Sequence, residues 1–266
     1  MNLFLRELKV NRRSWLIWSV SMALLTIITM WVYPSIASEQ SRIDQLISTY
    51  PKELLAAFNL DELSLADILG FYATESYTFV LLLGGMFAIL LAGGIMAKEE
   101  SEKTIEFLLS RPVSRSQIVS SKMMAVLFYI LLFNLVQLLV AYLSFEWVKQ
   151  GPYTVTTLLV LHLGAFLVHL VFASLGLALA VFIPKLKALT PLGIGLVLGT
   201  YFFSIMVRLS SKLAFLTYIS PFEYADAVDV IKKGGLQPPY LAIALVLVAG
   251  LVATTYFFYN RKDITV

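Results

Sequence analysis

The sequence predicts an all-α, polytopic membrane protein with six transmembrane helices in one domain. Two observations carry this reading. Of the 266 residues, 59% are hydrophobic and 14% charged, well below the roughly 25% charged residues of a soluble domain. Six uncharged runs, Ser14–Tyr33, Ser76–Ala97, Met123–Phe145, Gly151–Pro184, Ala188–Val207 and Gly234–Asn260, reach or exceed the roughly 20 residues that cross a hydrocarbon core. The longest gap between them, 42 residues from Pro34 to Glu75, is too short for a separate soluble catalytic domain. Residues 1–266 therefore read as a single transmembrane domain.

Taken in order, residues 1–13 place Met1, Phe4, Leu5 and Leu8 at helical spacing beside Arg6, Lys9, Arg12 and Arg13. This predicts either a short interfacial helix at the membrane surface or a plain extension of the first span. Ser35-Ile36-Ala37 after that span resembles a signal cleavage site, but the apolar run exceeds the roughly 7–15 residues of a signal core, so the helix is expected to be retained. Residues 34–75 form an extracytoplasmic loop. In it, Leu46, Ile47, Tyr50, Leu54, Leu55 and Phe58 are spaced as one or two amphipathic helices broken by Pro51, expected against the outer ends of the bundle. In the second span Gly84, Ala88 and Ala92 recur every fourth residue, and Gly195 and Gly199 form a GxxxG in the fifth. Such small-residue ridges let helices approach closely, within one chain or between two. Residues 208–238 form an outer segment between spans five and six.

Segment 98–121 reads as two helices joined at a corner. Pro112 stops the first helix near Ser110. The second starts with Ser114 as N-cap, Gln117 completing a capping box, and Val113 with Ile118 as a hydrophobic staple. On the first helix Ile105, Leu108 and Leu109 form an apolar stripe, with Glu99, Glu100, Glu102, Lys103 and Glu106 on the charged remainder. The stripe either docks into a groove of a partner protein or packs on the bundle's own inner surface.

With the N-terminus in the cytoplasm, thirteen of the twenty Lys and Arg residues fall on inner segments. Cytoplasmic flanks favour these residues, so both termini are expected inside a cell (plasma) membrane. Arg208, Lys212, Lys232 and Lys233 oppose this bias, but Glu223, Asp226 and Asp229 share their loop.

Several functions are excluded. Without cysteine there is no thiolate metal site and no cysteine nucleophile. Neither a G-x-x-x-x-G-K-[ST] phosphate loop nor an H-E-x-x-H zinc motif occurs. The chain is therefore not expected to be an enzyme, to bind a cofactor or metal itself, or to bind nucleic acid. Polar residues within spans are costly in lipid. Asn134 and Gln137 on span three, and His162 and His169 on span four, are candidates for a substrate pathway or for interhelical hydrogen bonds. Ionisable residues at mid-membrane, the mark of a secondary transporter, are not visible.

Thr104-Ile105-Glu106-Phe107-Leu108-Leu109, Pro112-Val113-Ser114-Arg115 and Lys122 together resemble the signature of ABC exporter permeases of the second, drug-and-polysaccharide type. Lys103 stands where that pattern has glycine, which puts the turn before Thr104 in question. Tyr218-Ile219-Ser220-Pro221-Phe222-Glu223-Tyr224 and Val230-Ile231-Lys232-Lys233-Gly234 resemble the segment these permeases carry between spans five and six. The resemblance implies a permease that pairs with a second permease chain and with cytoplasmic ATP-binding-cassette subunits, which hold the ATP and Mg. It also implies that Glu99, Glu100, Glu102, Thr104, Ile105, Glu106, Leu108, Leu109, Pro112 and Arg115 form a coupling segment seated on the ATPase. A non-transporting membrane scaffold or sensor subunit is the alternative.

Overall fold

The computed structural model describes residues 3–109 and 112–262, and among these every regular element is helical. Six helices or helix pairs are long and apolar enough to cross a membrane. They are α1 (Leu3–Ser38), α4 with α5 (Ile68–Tyr72 and Thr78–Ser101), α7 (Arg115–Val148), α8 (Val155–Phe182), α9 (Leu186–Leu209) and α11 (Pro238–Arg261). Shorter helices α2 (Gln40–Ile47), α3 (Lys52–Ala57), α6 (Ile105–Leu109) and α10 (Ala227–Lys233) lie in the connections.

The N-terminal residues do not form a separate interfacial helix. Helix α1 runs unbroken from Leu3 to Ser38, which is the alternative of a plain extension. No glycine or proline interrupts it before Pro34, so nothing in the sequence stops the helical hydrogen bonding. Glu7 is buried against the neighbouring spans, and the Tyr129 hydroxyl donates to the Leu8 carbonyl. The first turns of α1 thus belong to the bundle.

Helix α5 is the centre of the fold, packed along α8 and α9, while α1 packs along α7. Small residues set the closest approaches. A Cβ on Gly84 would fall 2.3 Å from His169 Nε2, and one on Gly176 would fall 2.4 Å from the Ile89 carbonyl oxygen. Ala88 and Ala92 are fully buried in the same seam, so the every-fourth-residue ridge of span two works within the chain. Gly195 and Gly199 behave differently, since a Cβ at either would meet nothing within 4 Å.

The segment after α9 is only partly an outer segment. Two 3-10 stretches, Ser211–Tyr218 and Pro221–Ala225, fold back along the helix they have just left. Ser220 Oγ donates to the Thr200 carbonyl at 2.8 Å, and the Phe222 ring packs 5.4 Å from Tyr201 and 5.5 Å from Phe172. The chain then returns, and Asp226 pairs with Arg208 at 3.2 Å. Ser220 therefore lies beside a residue nine positions before the end of α9, about 13 Å down the helix at 1.5 Å per residue. Pro221 and Phe222, read only as a motif in the sequence, drive this: proline suits the start of a tight turn, and the buried aromatic holds the hairpin among α5, α8 and α9.

Candidate functional site

The corner between α5 and α7 lies at the end of the bundle that also carries the first residues of α1 and the last of α11. Helix α5 ends as Glu102 N and Lys103 N donate back to the Lys98 and Glu100 carbonyls, at 2.8 and 3.2 Å. Lys103 has φ of 56°, in the left-handed region that glycine enters freely and other residues enter at a cost. The turn is thus the one glycine would make, formed with lysine, and Thr104 N closes it by donating to the Glu99 carbonyl at 2.8 Å. On the far side Ser114 caps α7. Its Oγ accepts from Gln117 N at 3.2 Å, and Ser114 N donates to Gln117 Oε1 at 2.9 Å, a reciprocal capping box.

Helix α6 does not offer its apolar stripe to solvent. Ile105 and Leu108 are buried because the short helix lays its apolar side on the bundle's own end, the second of the two arrangements open to it. The side chain of Leu109 lies outside the described residues. Turned outward are Glu102, Lys103, Glu106 and, most of all, Phe107 at 77% exposure, with Pro112 and Val113 beyond them.

The left-handed turn at Lys103 divides the single helix expected over this stretch, so Glu99 and Glu100 lie on α5 rather than beside the apolar stripe, and both face inward. Glu99 is 2% exposed; Lys122 Nζ donates to its carboxylate and to the Ile95 and Met96 carbonyls, and Arg6 lies 3.8 Å away. Glu100 accepts from Lys262 Nζ at 2.6 Å, and the same ammonium donates to the Val181 carbonyl at 2.8 Å. Arg115 is likewise turned inward. Its guanidinium donates to the carbonyls of Tyr259, Asn260 and Lys262, at 3.3, 3.2 and 2.6 Å. Those carbonyls are the unsatisfied acceptors at the C-terminus of a helix, where a cation is favoured. Three cations therefore tie the ends of α5, α7, α8 and α11 together around α6, and a displacement of the corner must move these spans with it.

The polar residues within the spans join helices. His169 Nε2 donates to the Val80 carbonyl at 3.0 Å, and its Nδ1 lies 3.1 Å from the Asn134 side-chain oxygen. Asn134 Nδ2 donates to the Ile130 carbonyl, and Gln137 Nε2 reaches the Ser19 carbonyl on α1 at 3.1 Å. The Tyr72 hydroxyl and His162 Nε2 are 2.9 Å apart. At the opposite end of the bundle, Glu223 on the folded-back hairpin accepts from Ser204 Oγ at 2.5 Å and lies 3.8 Å from Arg208. Burial raises the Glu223 carboxyl from its ordinary value, against the opposing pull of Arg208 and of the Ser204 hydrogen bond.

Sequence reasoning missed the inward partners. Lys122 reads in the sequence as a signature residue, Arg6 as part of a basic surface face and Lys262 as a flanking charge, and none of these readings supplies a partner, although Lys122 directly precedes an uncharged run and a lysine so placed needs one. Phe107 was passed over because it falls between the positions of the apolar stripe.

Residues 1–264 match the family described as ABC-2 family transporter protein. Over 73 residues the chain is 43% identical to the uncharacterized protein YhcI of Bacillus subtilis (strain 168), a stretch covering 27% of this chain and 22% of that protein. The match to YhcI is thus local, while the family match takes in all six spans, the α6 corner and the folded-back hairpin. This chain belongs to the ABC-2 transporter family, as a multi-pass membrane permease component.

Proposed function

We propose that the chain is the membrane-spanning subunit of an ATP-driven exporter, and that it engages a separate ATP-binding subunit through the outward face of the α6 corner. The observation that carries this is the corner's construction. Glu106 and Phe107 are exposed on a short helix, with Glu102 exposed on the turn before it; the helix's other side is packed down and its flanks are tied to four spans. An aromatic anchor with flanking charges suits a partner's groove, and the rigid backing suits it to pass on movement. ATP and Mg bind on the partner in this reading, and the end carrying α6 and the termini faces the cytoplasm, as the charge distribution supports.

A second permease chain, identical or similar, would complete the pathway. The uncovered Gly195 and Gly199 on α9 give it a surface for close helix approach. The outward direction of transport follows the family resemblance.

The test is reconstitution with a candidate ATP-binding subunit in lipid vesicles. Nucleotide hydrolysis by the assembled complex is expected to depend on both proteins and to fall on Phe107→Ala or Glu106→Lys, with the membrane chain still folded. Unchanged hydrolysis and transport in both variants would remove the α6 face from the mechanism. Failure to bind any such subunit would favour a scaffold.

A further inference from the structure

We propose that helices α2 and α3 form a lipid-contacting platform, seated in the membrane leaflet at the end opposite the described termini. Leu46, Tyr50, Leu54 and Phe58 recur every fourth residue and are 57%, 53%, 43% and 51% exposed. Neither helix has a single buried residue; Ile43, Ile47 and Leu55 rest partly on the chain, and Leu46, Tyr50, Leu54 and Phe58 are open. The segment therefore rests with only one side against the outer ends of α1 and α9, as its sequence suggests, and leaves the other uncovered. Four large apolar side chains left open along α2, α3 and the turns that end them call for an apolar medium.

Three contacts fix the level of this stripe. Arg208, one residue before the end of α9, donates from Nη1 to the Ala57 carbonyl at 3.5 Å. Asn59 shares a narrow cleft with Thr78, Tyr201 and Asp226, so Phe58 stands beside the ends of the spans rather than above them. Tyr33 donates to the Ala66 carbonyl at 2.9 Å, which holds both ends of the connection close to α1. The exposed Trp31 and Trp147 mark the adjoining membrane boundary, where indole rings concentrate. Ile28 and Trp31 on α1 and Phe202 and Met206 on α9 are exposed apolar residues of the two spans that α2 and α3 touch.

The charges identify the kind of lipid contact. On α2 and α3 the exposed Arg42 and Lys52 are balanced by Asp44 and Glu53, so the polar side lacks the excess of basic residues that draws a helix to anionic lipid. The platform therefore recognises the acyl and glycerol region of neutral phospholipid through its apolar side chains alone. A second copy of the chain is the competing occupant.

Because the chain has no cysteine, single cysteines can be spin-labelled in the full protein held in phosphatidylcholine nanodiscs. Labels at Leu46→Cys, Tyr50→Cys and Phe58→Cys are expected to collide more often with oxygen, which concentrates in lipid, than with a water-soluble nickel chelate. Labels at Asp44→Cys and Glu53→Cys are expected to show the reverse, and added anionic lipid is expected to change neither set. Stripe labels as open to nickel as the controls would overturn the proposal. So would stripe labels shielded from both reagents together with crosslinks between copies, which would assign the stripe to a second chain. A shift of the stripe labels towards oxygen only when anionic lipid is present would overturn the neutral-lipid assignment.

Discussion

The ammonium of Lys122, at the start of the third span, is buried against the carboxylate of Glu99, at the end of the second. Lys122 also reaches the Ile95 and Met96 carbonyls, so one side chain clamps the last turn of α5 ahead of the α6 corner. A buried pair of this kind adds little net stability when intact but is costly to break, because the survivor is left charged and unpaired.

Lys122→Met is therefore expected to destabilise the chain by about 3–5 kcal/mol, and Glu99→Gln by a similar amount. The double substitution should recover part of the loss, since the paired charges go together, while Glu7 stays buried next to the vacated site with Arg6 among its remaining cations. Thermal unfolding in detergent, run as a double-mutant cycle, checks this. Additive losses would mean that the two residues act independently.

The left-handed turn at Lys103 gives a prediction of opposite sign. Lys103→Gly is expected to stabilise the corner by about 1 kcal/mol, because glycine adopts this conformation without the steric cost lysine bears. The same unfolding measurement reads it, and a destabilised variant would show that the Lys103 side chain makes a contribution larger than the strain.

A pH dependence is expected from Glu223. Its carboxyl is raised above its ordinary value of 4.5 in the folded chain, chiefly by burial, so the folded state holds the proton more tightly than the unfolded one. The resulting stability is fully present below pH 4.5 and is lost as the pH rises through the elevated folded value. Docking of the hairpin should accordingly tighten in mild acid. Glu223→Gln, which keeps a partner for Ser204 without a charge, should flatten the dependence. Thiol protection of a cysteine placed at Phe222, followed against pH with and without the glutamine, tests it; an unaltered profile would exclude Glu223 as the source.

Orientation is open to a direct check in intact cells. A cysteine at Asp61 is expected to react with a membrane-impermeant thiol reagent, and cysteines at Ser101 and Ser116 are expected to be protected. Labelling at Ser101 from outside would invert the topology.

Much of the fold was legible because it follows from period and composition. Six uncharged runs long enough to span lipid fix six helices, and Ser114 and Gln117 fix the start of α7 through their own backbone geometry, while the stop that Pro112 predicts near Ser110 lies outside the described residues. What the sequence could not show depends on partners distant along the chain. Ile105 and Leu108 have the same spacing whether they face a partner or their own bundle, and only the position of the α5 and α1 ends decides. Glu99 and Glu100 look like surface acids until Lys122 and Lys262 arrive from 23 and 162 residues away. The folded-back hairpin was hidden for the same reason, because Ser220, Phe222 and Glu223 find Thr200, Tyr201 and Ser204 only once α9 is in place. Lys103 shows that a turn can keep its shape when its preferred residue is absent.

The central claim is that the outward face of α6 is the contact with an ATP-binding subunit, and site-specific photocrosslinking tests it most directly. A photoreactive residue is placed at Glu106, Phe107 or Leu108 in turn, with the candidate ATP-binding subunit co-expressed. The account predicts crosslinks to that subunit from Glu106 and Phe107, and crosslinks only within the membrane chain from Leu108. A complex that assembles with the subunit crosslinked from none of the three, or from Leu108 alone, would contradict it.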